Sequence, residues 1–330
     1  MTQLPDLAAR FTDDRADCAT CVSWLSHEGV IAIDGADTDK FLQGQITCDL
    51  KSVSADTSTL GARCNPKGRM QSSFRLWRSE QGVMLSLNRE LIEAQLADLA
   101  KYAVFYKCQL TDQTERWIGF GIWGEAADAA LHSCGLTLPA NGALVRSGDV
   151  FAIGLPGGAC ALWAPAERAE QLLDQLCQHA TPVSLNQWLL QQIQCGVGQV
   201  TGPTRESFIP QMLNLQQLGG VSFRKGCYTG QEIVARMQYL GKLKRRMYRL
   251  LMAGDALPQP GTEIVDRDSG KPVGEVVLAA RGSKAVEMLA VLQKDAAQLG
   301  SLSAGNSDGP LISLADLPYE HELTAAEAES

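Results

Sequence analysis

Residues 223 to 232, Phe-Arg-Lys-Gly-Cys-Tyr-Thr-Gly-Gln-Glu, hold the densest potential chemistry in the chain. Cys227 stands among Arg224, Lys225, Gly226, Tyr228 and Gly230. A thiol reacts or ligates as the thiolate, and neighbouring cations and a helix N-terminus both favour that form. Thr229, followed three residues later by Glu232, fits a capping box with Thr229 as the N-cap. The box would start a helix with Ile233, Met237 and Leu240 on one face, ending at Gly241. Cys227 then sits two residues before a helix N-terminus. Gly226 and Gly230 would let the backbone turn sharply or approach a ligand closely. The competing reading is a tight loop whose cysteine only fills space, because no histidine lies near in sequence to act as a base.

The other cysteines offer less. Of ten, only Cys18 and Cys21 form a C-x-x-C pair, and a zinc site needs a second pair or closely spaced histidines. His27, His132, His179 and His321 form no such cluster, so the pair reads first as coincidental, with a redox or metal pair as the alternative, and no metal site is expected. The opening MTQLPDLAARFTDD has neither a basic start nor an apolar run, so reduced cysteines in the cytoplasm are expected. No stretch approaches the ~18 apolar residues of a membrane span.

Charge is distributed unevenly. From Arg224 to Arg249 there are eight basic residues against one acid, Glu232. That local +7 leaves −15 on the other 304 residues of a chain whose net charge is −8. Such a chain would not coat nucleic acid indiscriminately, although one segment could dock a polyanion or be a solvated basic face. The basic run at 242–249 also lacks interleaved stacking aromatics apart from Tyr248 and the nearby Tyr239, which argues against direct base reading.

The elements that must position the loop fall into two textures. Residues 30–33 read as a strand and 39–43 as a short helix closed by Gly44. Residues 58–88 read as a meander, because Met70, Ser72, Phe74 and Leu76 alternate with polar or outward positions. Helices are expected near 89–102, 125–134, 165–179 and 183–195, the last closed by Gly196. Strands and helices alternate without a regular βα period, which points to α+β layers. After Gly241 short strands between Pro/Gly turns read as a small β-barrel or sandwich. The expected domains are a body, 1–240, with an interleaved subdomain at roughly 51–113, and a β domain, 241–330, whose acidic end, 322–330, frays.

The run FIPQMLNLQQLGGVSFRKGCYTGQEIVARMQYLG, with GADTDKFLQGQITCDL, CNPKGRM, LAKYAVFYK and QWLLQQIQCG, resembles the YgfZ family of folate-binding, tRNA-modifying proteins. The likeness covers about residues 29–250 in order. The family is similar to the aminomethyltransferase (T-protein) of the glycine cleavage system. It therefore implies two interleaved ferredoxin-like domains plus a C-terminal β-barrel in a ring around a folate site. Cys227 is then the functional thiol, beside Lys225, with Gly226, Tyr228, Gly230, Gln231 and Glu232 supporting it. The resemblance places pterin contacts at Trp188, at Gln194 where the family has glutamate, and at Asn88. A second family tryptophan falls at Glu28, with Trp24 four residues earlier, and Gln45 and Asp49 are further site-lining candidates. A glutamine at 194 keeps one acceptor but loses the bidentate pairing of a carboxylate.

The implied role is support of iron–sulfur enzymes or their assembly proteins, with tetrahydrofolate or a derivative bound. tRNA is reached only indirectly, no membrane is involved, and a monomer is expected. The alternative is a folate-dependent aminomethyltransferase. T-proteins carry an acidic pair after the glycine matching Gly68; here Gln71, Ser72 and Ser73 follow, and T-proteins lack KGCYTGQE. The balance leans away from an enzyme.

Overall fold

The computed structural model describes residues 4–14, 18–298 and 300–321. The acidic stretch 322–330, expected to fray, lies outside the described residues. Helix α1 (Leu4–Ala9) precedes strands β1 (Thr20–Trp24) and β2 (Glu28–Asp34), helix α2 (Thr38–Gln43), then β3 (Ser58–Cys64), β4 (Met70–Arg78) and β5 (Gly82–Asn88). Next come α3 (Ile92–Ala103), β6 (Gln109–Asp112), β7 (Trp117–Gly124), α4 (Ala127–Ser133), β8 (Leu144–Ser147), β9 (Val150–Gly154) and β10 (Cys160–Pro165). The mixed part ends with α5 (Ala169–Leu176), β11 (Thr181–Pro182), α6 (Leu185–Gln194) and α7 (Gln231–Leu240). Six strands follow: β12 (Arg245–Met252), β13 (Glu263–Asp266), β14 (Pro272–Arg281), β15 (Val286–Gln293), β16 (Leu302–Ala304) and β17 (Leu311–Ala315).

One sheet has the order β11-β1-β7-β10-β9-β8 and a second the order β3-β4-β5-β2-β6. The C-terminal strands close into a barrel, β12-β15-β14-β13-β16-β17. The α+β body and β tail expected from the sequence are thus present. Two compact units emerge: Met1–Thr38, Lys51–Thr59 and Arg75–Trp188 in the first, Asp39–Leu50, Leu60–Phe74 and Leu189–Ser330 in the second.

In the first unit β7 explains much of the packing. Its Ile118, Phe120 and Ile122 point to one side and join Leu131 of α4 and Leu172, Leu173 and Leu176 of α5 in the core. The intervening Gly119 and Gly121 lie on the other face, where a Cβ would strike the rings of Trp163 and Trp188 respectively. Two glycines at alternate positions therefore make room for two buried tryptophans. In the second unit the barrel interior is filled by Leu250, Ile264, Val276, Met288, Leu292 and Ile312. Register shifts at Ile264/Val265 and Val276/Leu278 supply the local bends that closure needs.

The structure corrects the reading of Cys18 and Cys21. They are joined by a disulfide, with Cα atoms 6.1 Å apart, inside the range a disulfide spans. The other eight cysteines are free thiols.

Candidate functional site

Cys227 is exposed, whereas Cys48, Cys64, Cys160 and Cys195 are buried and Cys108, Cys134 and Cys177 are half-buried. Its neighbours show how the loop achieves this. Lys225 is buried, and its Nζ donates to the carbonyls of Ile46 and Cys48, both at 2.7 Å. The same ammonium lies 5.2 Å from the centre of the Tyr228 ring, which is also buried. Gly226 and Cys227 between them face outward. The ends of the segment are laid along residues 44–47 by Ser222 N–H donating to Thr47 O (2.9 Å) and Thr229 N–H to Gly44 O (3.1 Å).

Burial dominates the electrostatics beneath the loop. It pulls Lys225 down to about 8, against the upward pull of Cys48 and Asp49. It pushes the Cys48 and Cys64 thiols up to about 12, so both stay protonated near neutrality. The Tyr228 hydroxyl is raised by burial first, then by those two thiols. Among the described residues no group of three or more His, Cys, Asp or Glu side chains is placed to hold a metal ion.

The start of α7 differs from the capping box. Gly230, not Thr229, is the N-cap, with φ 85°, and no side chain caps it. The helix terminus is one residue farther from Cys227 than the sequence pattern implies. The reason is a tight fit: a Cβ on Gly230 would meet the Asn65 carbonyl at 2.5 Å and the Gly68 Cα at 3.1 Å. The CNPKGRM turn is therefore the surface against which the loop is set. Gly226 is different, because a Cβ there would meet nothing within 4 Å. The expected apolar face of α7 buries only in part: Met237 is half-buried while Ile233 and Leu240 are exposed, and the residue fully inside is Val234.

The remaining candidates divide between the units. In the first, Trp188 is buried against Gly121, with the Trp123 ring 5.6 Å away. Asn88 is buried at the end of β5, and its Oδ1 accepts from Glu90 N–H at 3.1 Å, capping the turn Arg89–Leu91. Glu28 lies opposite Asn88 in the sheet, its carboxyl pushed up by burial, against a Ser86 hydrogen bond and the charge of Arg75. Trp24 closes β1 and is half-buried. In the second unit, Gln194 Nε2 donates to Glu287 Oε1 at 3.1 Å, and Arg249 grips the other carboxylate oxygen at 2.6 and 3.0 Å. Gln43 Nε2 donates to Asp49 at 2.7 Å. Gln45 Oε1 is buried without a hydrogen-bond partner among the described residues, one position from the carbonyl that accepts from Thr229. Glu287 and Arg249 carry no sequence signal linking them to Gln194, since they lie in the distant barrel strands β15 and β12.

No family model matches the chain. A tRNA-modifying protein YgfZ from Yersinia enterocolitica is 34% identical over 301 residues, covering 89% of this chain and 91% of that protein. The chain belongs to the YgfZ family. A YgfZ protein from Escherichia coli is likewise 34% identical, over 311 residues, covering 90% of this chain and 93% of its own length. Among solved structures, the glycine cleavage system aminomethyltransferase T from Bartonella henselae superposes with a TM-score of 0.74 at 18% identity, covering 94% of this chain and 89% of that one. YgfZ-family membership and an aminomethyltransferase-like fold are therefore both established for this chain. Among the described residues no helix is long and apolar enough to cross a membrane.

Proposed function

We propose that this protein is a folate-binding accessory factor of the cytoplasm that supports iron–sulfur enzymes or their assembly proteins, and through them tRNA thiolation, with Cys227 as its working thiol. The observation that carries this reading is the inversion of the loop. A segment that only filled space would turn its cysteine in and its lysine out, because burying an ammonium costs free energy unless it is bonded. Here Lys225 is inside, satisfied by two carbonyls, and Cys227 is outside.

Tetrahydrofolate, or a derivative, is the proposed ligand, and it would supply one-carbon chemistry when bound. Two polar groups of the second unit have the chemistry to meet a ring bearing N–H donors. In the second unit the orphaned Gln45 Oε1 is an acceptor in need of a donor, and Gln194 is oriented by the Arg249–Glu287 pair. In the first unit Trp188, its ring buried against Gly121, and Asn88, its Oδ1 engaged by Glu90 N–H, enter this reading through the family likeness alone. The aminomethyltransferase alternative rests on the fold. After Gly68 the chain has Gln71, whose amide donates to Glu206 at 3.0 Å, so no carboxylate of that strand is offered to a folate amine.

The test is a strain whose only copy carries Cys227→Ser. Thiolated tRNA nucleosides should be lost in nucleoside profiling, while the purified variant melts with the wild type. Normal thiolation in that strain would sink the reading.

A further inference from the structure

A cleft of about 310 Å³ lies wholly in the first unit, where the turns at residues 79–81, 113–116 and 146–149 meet. Its volume falls in the range of small-molecule sites. The floor is aromatic: the Trp117 and Phe151 rings are 5.5 Å apart and inclined at 62°, with Trp77 5.4 Å from Phe151. Trp77 and Phe151 are buried, but Trp117 is only half-buried and lines the cleft. One wall belongs to β2, which sets Ala32 and Asp34 on the same face two residues apart. The small Ala32 leaves depth, and Asp34 closes it with a carboxylate raised by burial and bonded to Ser79.

The charges at the rim separate into engaged and unengaged groups. Asp149 is paired with Arg168. Arg146 donates to Arg78 O at 2.6 Å and lies 4.9 Å over the Phe151 ring. Glu80 is exposed at the turn. Arg116 is exposed, with no side-chain partner among the described residues. An aromatic face, a half-buried acceptor in the wall and an exposed guanidinium at the rim define a ligand with a flat ring, adjacent N–H donors and a distal anion.

We propose that this cleft binds a fused ring bearing a 2-amino-4-oxopyrimidine edge, as in a guanine nucleotide or a pterin. The ring lies on Trp117, its paired N–H donors face Asp34, and a nucleotide's phosphate reaches Arg116. A carboxylate accepts two adjacent N–H groups side by side. Adenine offers an acceptor beside its single amino donor at that edge and meets Asp34 with a mismatch. The site is separate from the Cys227 loop and does not depend on its function.

Calorimetry on the full chain tests the assignment with guanosine 5′-monophosphate, adenosine 5′-monophosphate and 6-hydroxymethylpterin. The guanine nucleotide or the pterin should bind with Kd below about 1 mM, and the adenine nucleotide at least about tenfold more weakly. Tighter binding of the nucleotide, weakened by Arg116→Ala, identifies a nucleotide site. Tighter binding of the pterin, indifferent to Arg116→Ala, identifies a pterin site. Asp34→Asn should weaken either ligand at least about tenfold with an unchanged melting temperature, and Cys227→Ser should bind as the wild type does. No heat from either ring at about 5 mM, equal binding of the adenine nucleotide, or full binding by Asp34→Asn would overturn the proposal.

Discussion

Helices α6 and α7 are both ten residues long and both carry large apolar side chains, yet they place them in opposite settings. α6 buries Trp188, Leu190 and Ile193, with Trp188 only 2% exposed. α7 buries Val234 and leaves Ile233, Tyr239 and Leu240 at 37%, 54% and 77% exposure. α6 is fixed by side chains buried on both of its sides, Trp188 on one and Leu190 and Ile193 on the other, whereas α7 is fixed largely by its start and by one polar strap. Gly230 fits against the Asn65–Gly68 turn, and Gln211 Nε2 donates to Val234 O at 2.7 Å. Amphipathic spacing shows which residues could be buried together; whether they are depends on what the rest of the chain brings to that face.

The sharpest way to break the comparison is on α6. Trp188→Ala should destabilise the protein by about 3–5 kcal/mol, the range for truncating a large aromatic in a tightly packed site. The midpoint of urea unfolding should fall while the slope stays unchanged. A loss below about 1 kcal/mol would show that the ring is not a packing anchor, and the contrast with α7 would collapse.

At α7 the corresponding weak point is the cap. Gly230→Ala places a side chain at φ 85° and drives its Cβ onto the Asn65 carbonyl, which should cost about 1–3 kcal/mol. Gly226→Ala, four residues earlier, meets open space and should change stability by less than about 0.5 kcal/mol. Equal melting temperatures for the two variants would mean that the turn does not hold the helix start.

Much of the fold is legible in the residues themselves. The C-terminal barrel follows from short alternating strands between Pro/Gly turns, and the body helices from local apolar spacing, both of which are properties of neighbouring residues. Cys227 stands out through glycines and cations within five positions. What is not legible depends on distant partners. Lys225 reads as a cation beside the thiol, but its direction is set by carbonyls nearly 180 residues away, at Ile46 and Cys48. Thr229 and Glu232 match a capping box locally, yet the fit of Gly230 to the Gly68 turn decides where the helix begins. Gln194 reads as a single acceptor, while nothing near it in the chain points to Glu287, which holds its amide.

The lysine strap sharpens the comparison further, because it fixes the loop without apolar area. Lys225→Met removes both donors and leaves the carbonyls of Ile46 and Cys48 unpaired, at a cost of about 1–3 kcal/mol. The strap also has a pH signature. Its folded value of about 8 lies below the ordinary 10.5, so between those values the unfolded chain holds a proton that the folded chain has released. Stability contributed by this group therefore rises as pH goes from about 8 to about 10.5, and full charging below pH 8 carries the greatest burial cost. The stability difference between wild type and Lys225→Met should shift in favour of the wild type across that window. A flat difference would mean that Lys225 keeps its proton in the fold.

The smallest effect is expected at the far end of α7. Leu240 is the last helical residue and 77% exposed, so replacing it removes almost no buried apolar area. Leu240→Ser should therefore leave the urea midpoint within about 0.5 kcal/mol of wild type, although the same exchange at a buried leucine costs several times as much. Ile233→Ser, at 37% exposure and against Gly68, should cost more than Leu240→Ser but less than Trp188→Ala. That order, with α6 largest and the end of α7 near zero, is what separates a helix held by its buried side chains from one held by its start. If Leu240→Ser proved as costly as Ile233→Ser, the outer stripe of α7 would be covered in solution, and the distinction between the two helices would be one of partner rather than of packing.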